Sequence, residues 1–418
     1  MSKIRKTVLK NGINVITEEM ADVESATVGV WVKTGSRNER RDVSGISHFI
    51  EHLLFKGTSK RSPLDIAKEI ESVGGVLNAF TGREYTCFYC KVLAKDLPRA
   101  IDLLSDIFMN SVFDPLEMDR ERKVVLQEIK MVDDTPDDLV HDLFTEKFWA
   151  EHPLGRPVLG TRRSVKSIKR ASVKRYMATH YQPRSVFIVA AGKLKHGKVA
   201  SAFDATLGTI KKGKPISKAT TPKNSSGIKL VKRDLEQVHL CFGVPAPAQT
   251  DSERYKVYLL GNILGGGMSS RLFQEIREKR GLAYSVYSYL DLCKDAGAFV
   301  VYAGTSAESF HTVVELILKE FNDVRGGVKS EELQHAKDQL KGSMILGLET
   351  SSNRMMRMAR DEIYFGRVVP IKEVVKGIDS VSEDDIKKIA TKLLDSAAAT
   401  LVAIGKVRRV GLARMLAR

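Results

Sequence analysis

Two short stretches of the chain recur about 200 residues further on, and this recurrence restricts the fold more than any other feature. Lys68-Glu69-Ile70-Glu71-Ser72-Val73-Gly74-Gly75-Val76 aligns with Gln274-Glu275-Ile276-Arg277-Glu278-Lys279-Arg280-Gly281-Leu282 at an offset of 206, and Val189-Ala190-Ala191-Gly192-Lys193 aligns with Val402-Ala403-Ile404-Gly405-Lys406 at 213. Both offsets are close to half of 418 residues. The economical reading is therefore two copies of one domain of about 200 residues.

Each half repeats one order of elements: an opening strand (26–33; 238–244), helical runs, a further strand (77–92; 283–290), more helix, and a closing apolar strand (185–191; 400–404). A strand, turn and strand around Asn11-Gly12 precede the first copy. Helical spacing covers 46–55, 63–73, 97–109, 115–131 and 139–149, with Pro or Gly at several ends. The expected class is α+β, each half a mainly antiparallel sheet with helices packed on one face. The expected domains are 1–210 and 229–418, joined at 211–228 by a basic segment rich in Pro, Gly and Ser that has no apolar period.

Composition, 43% hydrophobic and 28% charged, is that of an ordinary globular protein and excludes a disordered or fibrous chain. Four scattered cysteines are too few for a disulfide framework, and the CxxC of Cys87 and Cys90 falls in a strand-like stretch that points the two thiols to opposite faces. There is no apolar h-region and no run of 18 uncharged apolar residues, so the expectation is a cytoplasmic protein without a membrane segment. The net charge of +16 raises a polyanion partner, yet the excess is local. Residues 156–233 hold 20 Lys and Arg against the single acid Asp204, whereas 114–151 hold 12 acids against 5 bases. No nucleic-acid-binding module accompanies the charge, and nucleic acid is not expected as a partner.

Chemistry concentrates in Ser47-His48-Phe49-Ile50-Glu51-His52-Leu53-Leu54-Phe55. On a helix, His48 and His52 stand one turn apart on one face, both able to reach a single ion, with Glu51 beside them. This is the H-x-x-E-H pattern of zinc hydrolases. Catalytic zinc keeps three protein ligands and leaves one position open, so a third ligand belongs on another element. Glu121 and Glu128 are two turns apart on one helical face, and one can bind while the other orients.

These motifs, with Leu53-Leu54-Phe55-Lys56-Gly57-Thr58 and Gly74-Gly75-Val76-Leu77-Asn78-Ala79-Phe80-Thr81, resemble the pitrilysin or insulinase (M16) zinc peptidases across essentially the whole chain, in particular bacterial single-chain relatives of the mitochondrial processing peptidase beta subunit. The resemblance implies a zinc-dependent metalloendopeptidase with one zinc per chain. It makes His48, His52 and Glu128 the ligands, 75 residues separating the last two. Glu51 becomes the base that takes a proton from the zinc-bound water, and Glu121 the carboxylate behind a ligating imidazole. In the second half, positions 254, 257 and 258 hold Arg, Val and Tyr, so that copy carries no metal site. It would instead supply Arg277 and Tyr284, which match the family's pair that stabilises the oxyanion from the partner half of the assembly; in a one-chain protein they imply a homodimer with the pair acting in trans.

An edge strand holding Asn78 and Ala79 would align an extended peptide. Asp138 and Asp142, at i and i+4, match two acidic positions that hold an Arg two residues before the cut, so the expected substrate is an unfolded, basic peptide. The alternative is a non-catalytic core-type subunit of such an assembly; loss of His48, Glu51, His52 or Glu128 would have favoured it, and all four are present.

Overall fold

The computed structural model describes residues 3–213 and 220–416, so residues 214–219 of the expected linker lie outside the described residues. The chain forms two compact units, and neither is a continuous stretch of sequence. The first comprises Met1–Met131, Arg156–Ala219 and Gly347–Val368; the second comprises Val132–Gly155, Thr220–Leu346 and Val369–Arg418.

The first unit is built on a six-stranded sheet of β1 (Lys3–Val8), β2 (Asn14–Glu19), β3 (Ser25–Val32), β4 (Val76–Thr81), β5 (Thr86–Leu93) and β6 (Val186–Gly192), in the order β1-β2-β6-β3-β5-β4. Only β2 and β6 run parallel. The second unit has β7 (Gly227–Lys232), β8 (Val238–Ala246), β9 (Ala283–Leu292), β10 (Gly297–Thr305) and β11 (Thr400–Gly405), in the order β7-β11-β8-β10-β9, with only β7 and β11 parallel. Strand for strand this repeats β2-β6-β3-β5-β4, so the duplication seen as sequence offsets is a duplication of topology. β7 opens at Gly227, so the last residues of the expected linker already belong to the second sheet.

Besides the discontinuous units, where 1–210 and 229–418 were expected, and the shortened linker, two further details differ from the sequence-based expectation. The stretch 77–92 is a hairpin, not one strand, because Gly82 N–H bonds Tyr85 O at 2.8 Å and turns the chain between β4 and β5. Each sheet is also covered on both faces. On one face of the first sheet, α1 (Ile46–Leu54) and α3 (Leu97–Asn110), which flank α2 (Pro63–Glu71) in sequence, pack Phe49, Leu53, Leu103 and Ile107 against Val28, Val30 and Phe88. The opposite face carries Trp31, Cys87, Phe187 and Val189, and a helix from the second half of the sequence, Ser351–Phe365, closes over them with Met355, Met358 and Ala359. Arg354 pairs with Glu18, and Lys6 with Glu362 at 2.7 Å, which fixes that helix along the sheet.

The second unit receives a helix in return. After α4 (Pro115–Asp133), α5 (Pro136–Phe148) lays Val140, Phe144 and Phe148 against Cys241, Val300, Tyr302 and Val402. The physical reason is in the strands: β6 is apolar at every position and β11 at every position after Thr400, both are buried throughout, and such a strand must be covered on both sides. Cys87 and Cys90 fall in the cores on opposite faces, as their spacing requires, and all four cysteines are free thiols. Among the described residues no helix is long and apolar enough to cross a membrane.

Candidate metal centre

The site is assembled within the first unit from α1, α4 and the edge strand β4. α1 starts abruptly after Gly45, which sits at φ 89° and has no room for a side chain: a methyl there would stand 2.5 Å from Leu159 O. The helix N-terminus is held by a buried carboxylate, Glu39, which accepts from Gly45 N–H at 2.6 Å and Ser47 N–H at 2.8 Å. Burial pushes the Glu39 carboxyl up to about 7 despite those bonds. Ser47 Oγ meets the Tyr176 hydroxyl at 2.8 Å, and Phe49, Ile50, Leu53 and Leu54 are sunk in the core. The apolar side of α1 is thereby locked, and His48, Glu51 and His52 are presented on the other.

The two imidazoles lie with centroids 4.7 Å apart. Glu128, from α4, reaches both: Oε2 is 3.6 Å from His48 Nε2, and Oε1 is 3.6 Å from His52 Nε2. One ligand atom from each residue lies within 4.8 Å of the others. Four ligands about 2.1 Å from a tetrahedral zinc are roughly 3.4 Å from one another, and the two 3.6 Å separations are close to that value. The donor chemistry fits as well. Burial, reinforced by His52, draws the His48 pKa down to about 4, which keeps the imidazole neutral with a lone pair to give. Glu128 Oε2 is buried without a hydrogen-bond donor, an orphan acceptor that a cation would satisfy.

Around these groups the polar contacts are directional. Glu121, one turn pair before Glu128 on α4 and itself buried, accepts from His52 Nδ1 at 3.0 Å, leaving Nε2 free to face Glu128. Glu51 Oε2 accepts from Thr81 Oγ1 of β4 at 2.5 Å. Burial raises the Glu51 pKa, with the charge of Glu128 adding to the effect and the Thr81 bond opposing it. Sequence reasoning missed Thr81 and Lys56, whose Nζ lies 2.8 Å from Glu121 Oε1. Lys56 sits four residues after His52, one further step of the helical spacing that selected the histidines. No sequence signal singles out Thr81.

The other residues singled out by sequence fall elsewhere. Asn78 is exposed and Ala79 half-buried on β4, which pairs only with β5 and so has an open outer edge. Asp138 and Asp142 are on α5 and belong to the second unit. So do Arg277, on the irregular helical turn Phe273–Glu278, and Tyr284, at the start of β9. Those last two are brought together: the Arg277 guanidinium stacks over the Tyr284 ring at 4.9 Å, and Tyr284 is 79% exposed. Arg254, Val257 and Tyr258 stand on the first turns of the helix Arg254–Gly265; Val257 is fully buried and Tyr258 bonds Gln249, so they form no counterpart of the metal site.

Residues 14–162 match the family described as insulinase, peptidase family M16, and residues 167–340 match the M16 inactive domain. An uncharacterised zinc protease of Streptomyces coelicolor is 41% identical over 401 residues, covering 94% of this chain and 87% of the relative. The chain belongs to the M16 peptidase family. A second M16 relative, an uncharacterised zinc protease of Mycobacterium tuberculosis, is 42% identical over 396 residues (93% and 90% covered), and a third, YmxG of Bacillus subtilis, is 37% identical over 391 (93% and 95%). The M16 fold is equally plain in solved structures. A protease from Helicobacter pylori superposes with a TM-score of 0.91 at 23% identity, covering 97% of this chain and all of that one. An M16 inactive-domain protein from Pseudomonas fluorescens gives 0.90 at 20%, covering 96% and 98%. The match of the second half to an inactive domain agrees with Arg254, Val257 and Tyr258 standing where the first half has His48, Glu51 and His52.

Proposed function

We propose that this M16 chain is a zinc-dependent metalloendopeptidase that cuts extended, basic peptides in the cytoplasm, holding one zinc on His48, His52 and Glu128. The observation that carries the reading is the convergence of those three ligand atoms beside Glu51. When bound, zinc would polarise the scissile carbonyl and make a water acidic enough to attack it. Glu51 takes the proton of the attacking water and passes it to the leaving amine. Burial raises the Glu51 pKa, which makes the carboxylate a stronger proton acceptor than an exposed glutamate. Thr81 holds one oxygen of Glu51 and thereby aims the other.

The open edge of β4 supports a role for the backbone of Asn78 and Ala79 in pairing with an extended substrate. Asp138 and Asp142 are the counter-charges for an arginine two residues before the cut. Arg277 and Tyr284 donate to the developing oxyanion from the second subunit of a homodimer, and their stacking supports action as a pair.

The test is elemental metal analysis with peptide cleavage by wild type and Glu51→Gln. One zinc per chain in both, with cleavage reduced at least about 100-fold in the variant, is the expected result. Equal cleavage by the two proteins would sink the mechanism. A pair of peptides with and without arginine two residues before the cut probes Asp138 and Asp142, whose role fails if the two are cut alike.

A further inference from the structure

We infer that Lys56 is a positioning residue of the metal centre: it grips one oxygen of the buried Glu121 carboxylate so that the other remains in place to accept from His52 Nδ1. The inference deepens the zinc reading and rests on it. Glu121 is held at both ends, with Oε2 3.0 Å from His52 Nδ1 and Oε1 2.8 Å from Lys56 Nζ. The two partners come from one short segment. α1 ends at Leu54, but Phe55 N–H and Lys56 N–H still bond back to His52 O and Leu53 O, so the chain keeps its helical path long enough to set Lys56 on the side of His52. A single carboxylate from α4 thus fills the gap between a ligand and a cation four residues apart.

The arrangement bears on the whole centre because the other ligating imidazole has no such brace. His48 Nδ1 is buried with no hydrogen-bond partner, so among the described residues the side-chain bracing of the two rings runs through His52, Glu121 and Lys56. Charge leads to the same residue. Glu51, Glu121 and Glu128 crowd the site, and among the described residues the one Lys or Arg that forms an ion pair with any of them is Lys56, on Glu121. Without Lys56, Glu121 loses its charge-assisted bond, so the carboxylate turns away from His52 toward the solvent that Lys56, 31% exposed, now reaches.

The experiment measures zinc affinity of the full chain by competition with a chromogenic chelator in wild type, Lys56→Met, Lys56→Arg, Glu121→Gln and the Lys56→Met/Glu121→Gln double variant. Lys56→Met is expected to weaken zinc about tenfold, the lower end of the effect of removing an outer partner of a metal ligand. It should lower kcat with KM unchanged within twofold, and Lys56→Arg should recover most of the affinity. The double variant should bind zinc no more weakly than Glu121→Gln, since Lys56 acts through that carboxylate. Circular dichroism of the metal-free proteins should show the same fold across the set. A Lys56→Met protein that binds zinc as wild type does, or a double variant showing the sum of the two losses, overturns the role of Lys56 and leaves the zinc reading standing. Failure of wild type to bind zinc overturns the reading beneath it.

Discussion

Gly243, in the middle of β8, makes room for the helix that the second unit takes from the first half of the sequence. A methyl group there would stand 2.5 Å from Phe144 Cζ of α5 and 2.9 Å from Phe299 O of β10. Gly243→Ala therefore meets an aromatic ring that is 2% exposed and a backbone carbonyl fixed in the sheet, and neither yields readily. Overpacking of this kind costs about 1–3 kcal/mol, and two contacts below 3.0 Å put this case near the top of that range. Replacing glycine inside a strand returns about 0.5–1 kcal/mol through the unfolded chain. The net loss is about 2 kcal/mol, or roughly 4–8 °C in the melting transition of a unit of this size. Phe144→Leu alone should cost about 1–1.5 kcal/mol. Together the two should cost about 2 kcal/mol rather than the sum, because the smaller side chain removes the closer clash while the carbonyl contact stays. Urea unfolding of the four proteins, followed by circular dichroism and fitted as a double-mutant cycle, reads the coupling. Strict additivity, or a neutral Gly243→Ala, would show that α5 is not seated on β8 as described.

Two further outcomes follow from side chains whose partners are fixed. Glu121→Gln keeps the size of the side chain and loses its charge, so zinc affinity should fall 10- to 100-fold with the metal-free protein as stable as wild type; an unchanged dissociation constant in chelator competition would count against the His52–Glu121 bond as the brace of the site. Asp385 is held well below the ordinary carboxylate value, at about 2, first by Lys256 at 2.9 Å and then by the Ser382 N–H that it caps at 3.0 Å. A depressed folded-state pKa gives stability that is complete above about pH 4 and is lost as pH falls toward 2. With the carboxylate 27% exposed, the contribution discounts to about 1 kcal/mol. Metal-free Asp385→Asn should therefore lose less stability than wild type between pH 5 and pH 2, and parallel acid limbs in the two proteins would remove Asp385 from the account.

What the sequence disclosed depended on how local the signal was. His48 and His52 stand one helical turn apart, and Glu121 and Glu128 share one face of one helix, so spacing offered the four groups that the fold brings within 4.8 Å or a hydrogen bond of one another, while the family resemblance, not spacing, chose Glu128 over Glu121 as the ligand. The duplicated topology was legible for the same reason: each copy repeats its own short runs of strand and helix. The exchange of helices was not, because the apolar faces of α5 and of Ser351–Phe365 say that they are buried and nothing about which sheet buries them. Yet the strands held half of the answer. Val186-Phe187-Ile188-Val189-Ala190-Ala191 has no polar residue to leave in water on either side, and helices on one face alone could never have satisfied it. Covering the second face with a helix from the other half ties each unit to a segment distant in sequence, Phe144 to Gly243 in one and Met355 to Trp31 in the other. The metal centre needs none of this. The proposed ligands, base and braces come from residues 48–128 of one unit, which is why the most chemically specific part of the molecule was also the part most readily read from the chain.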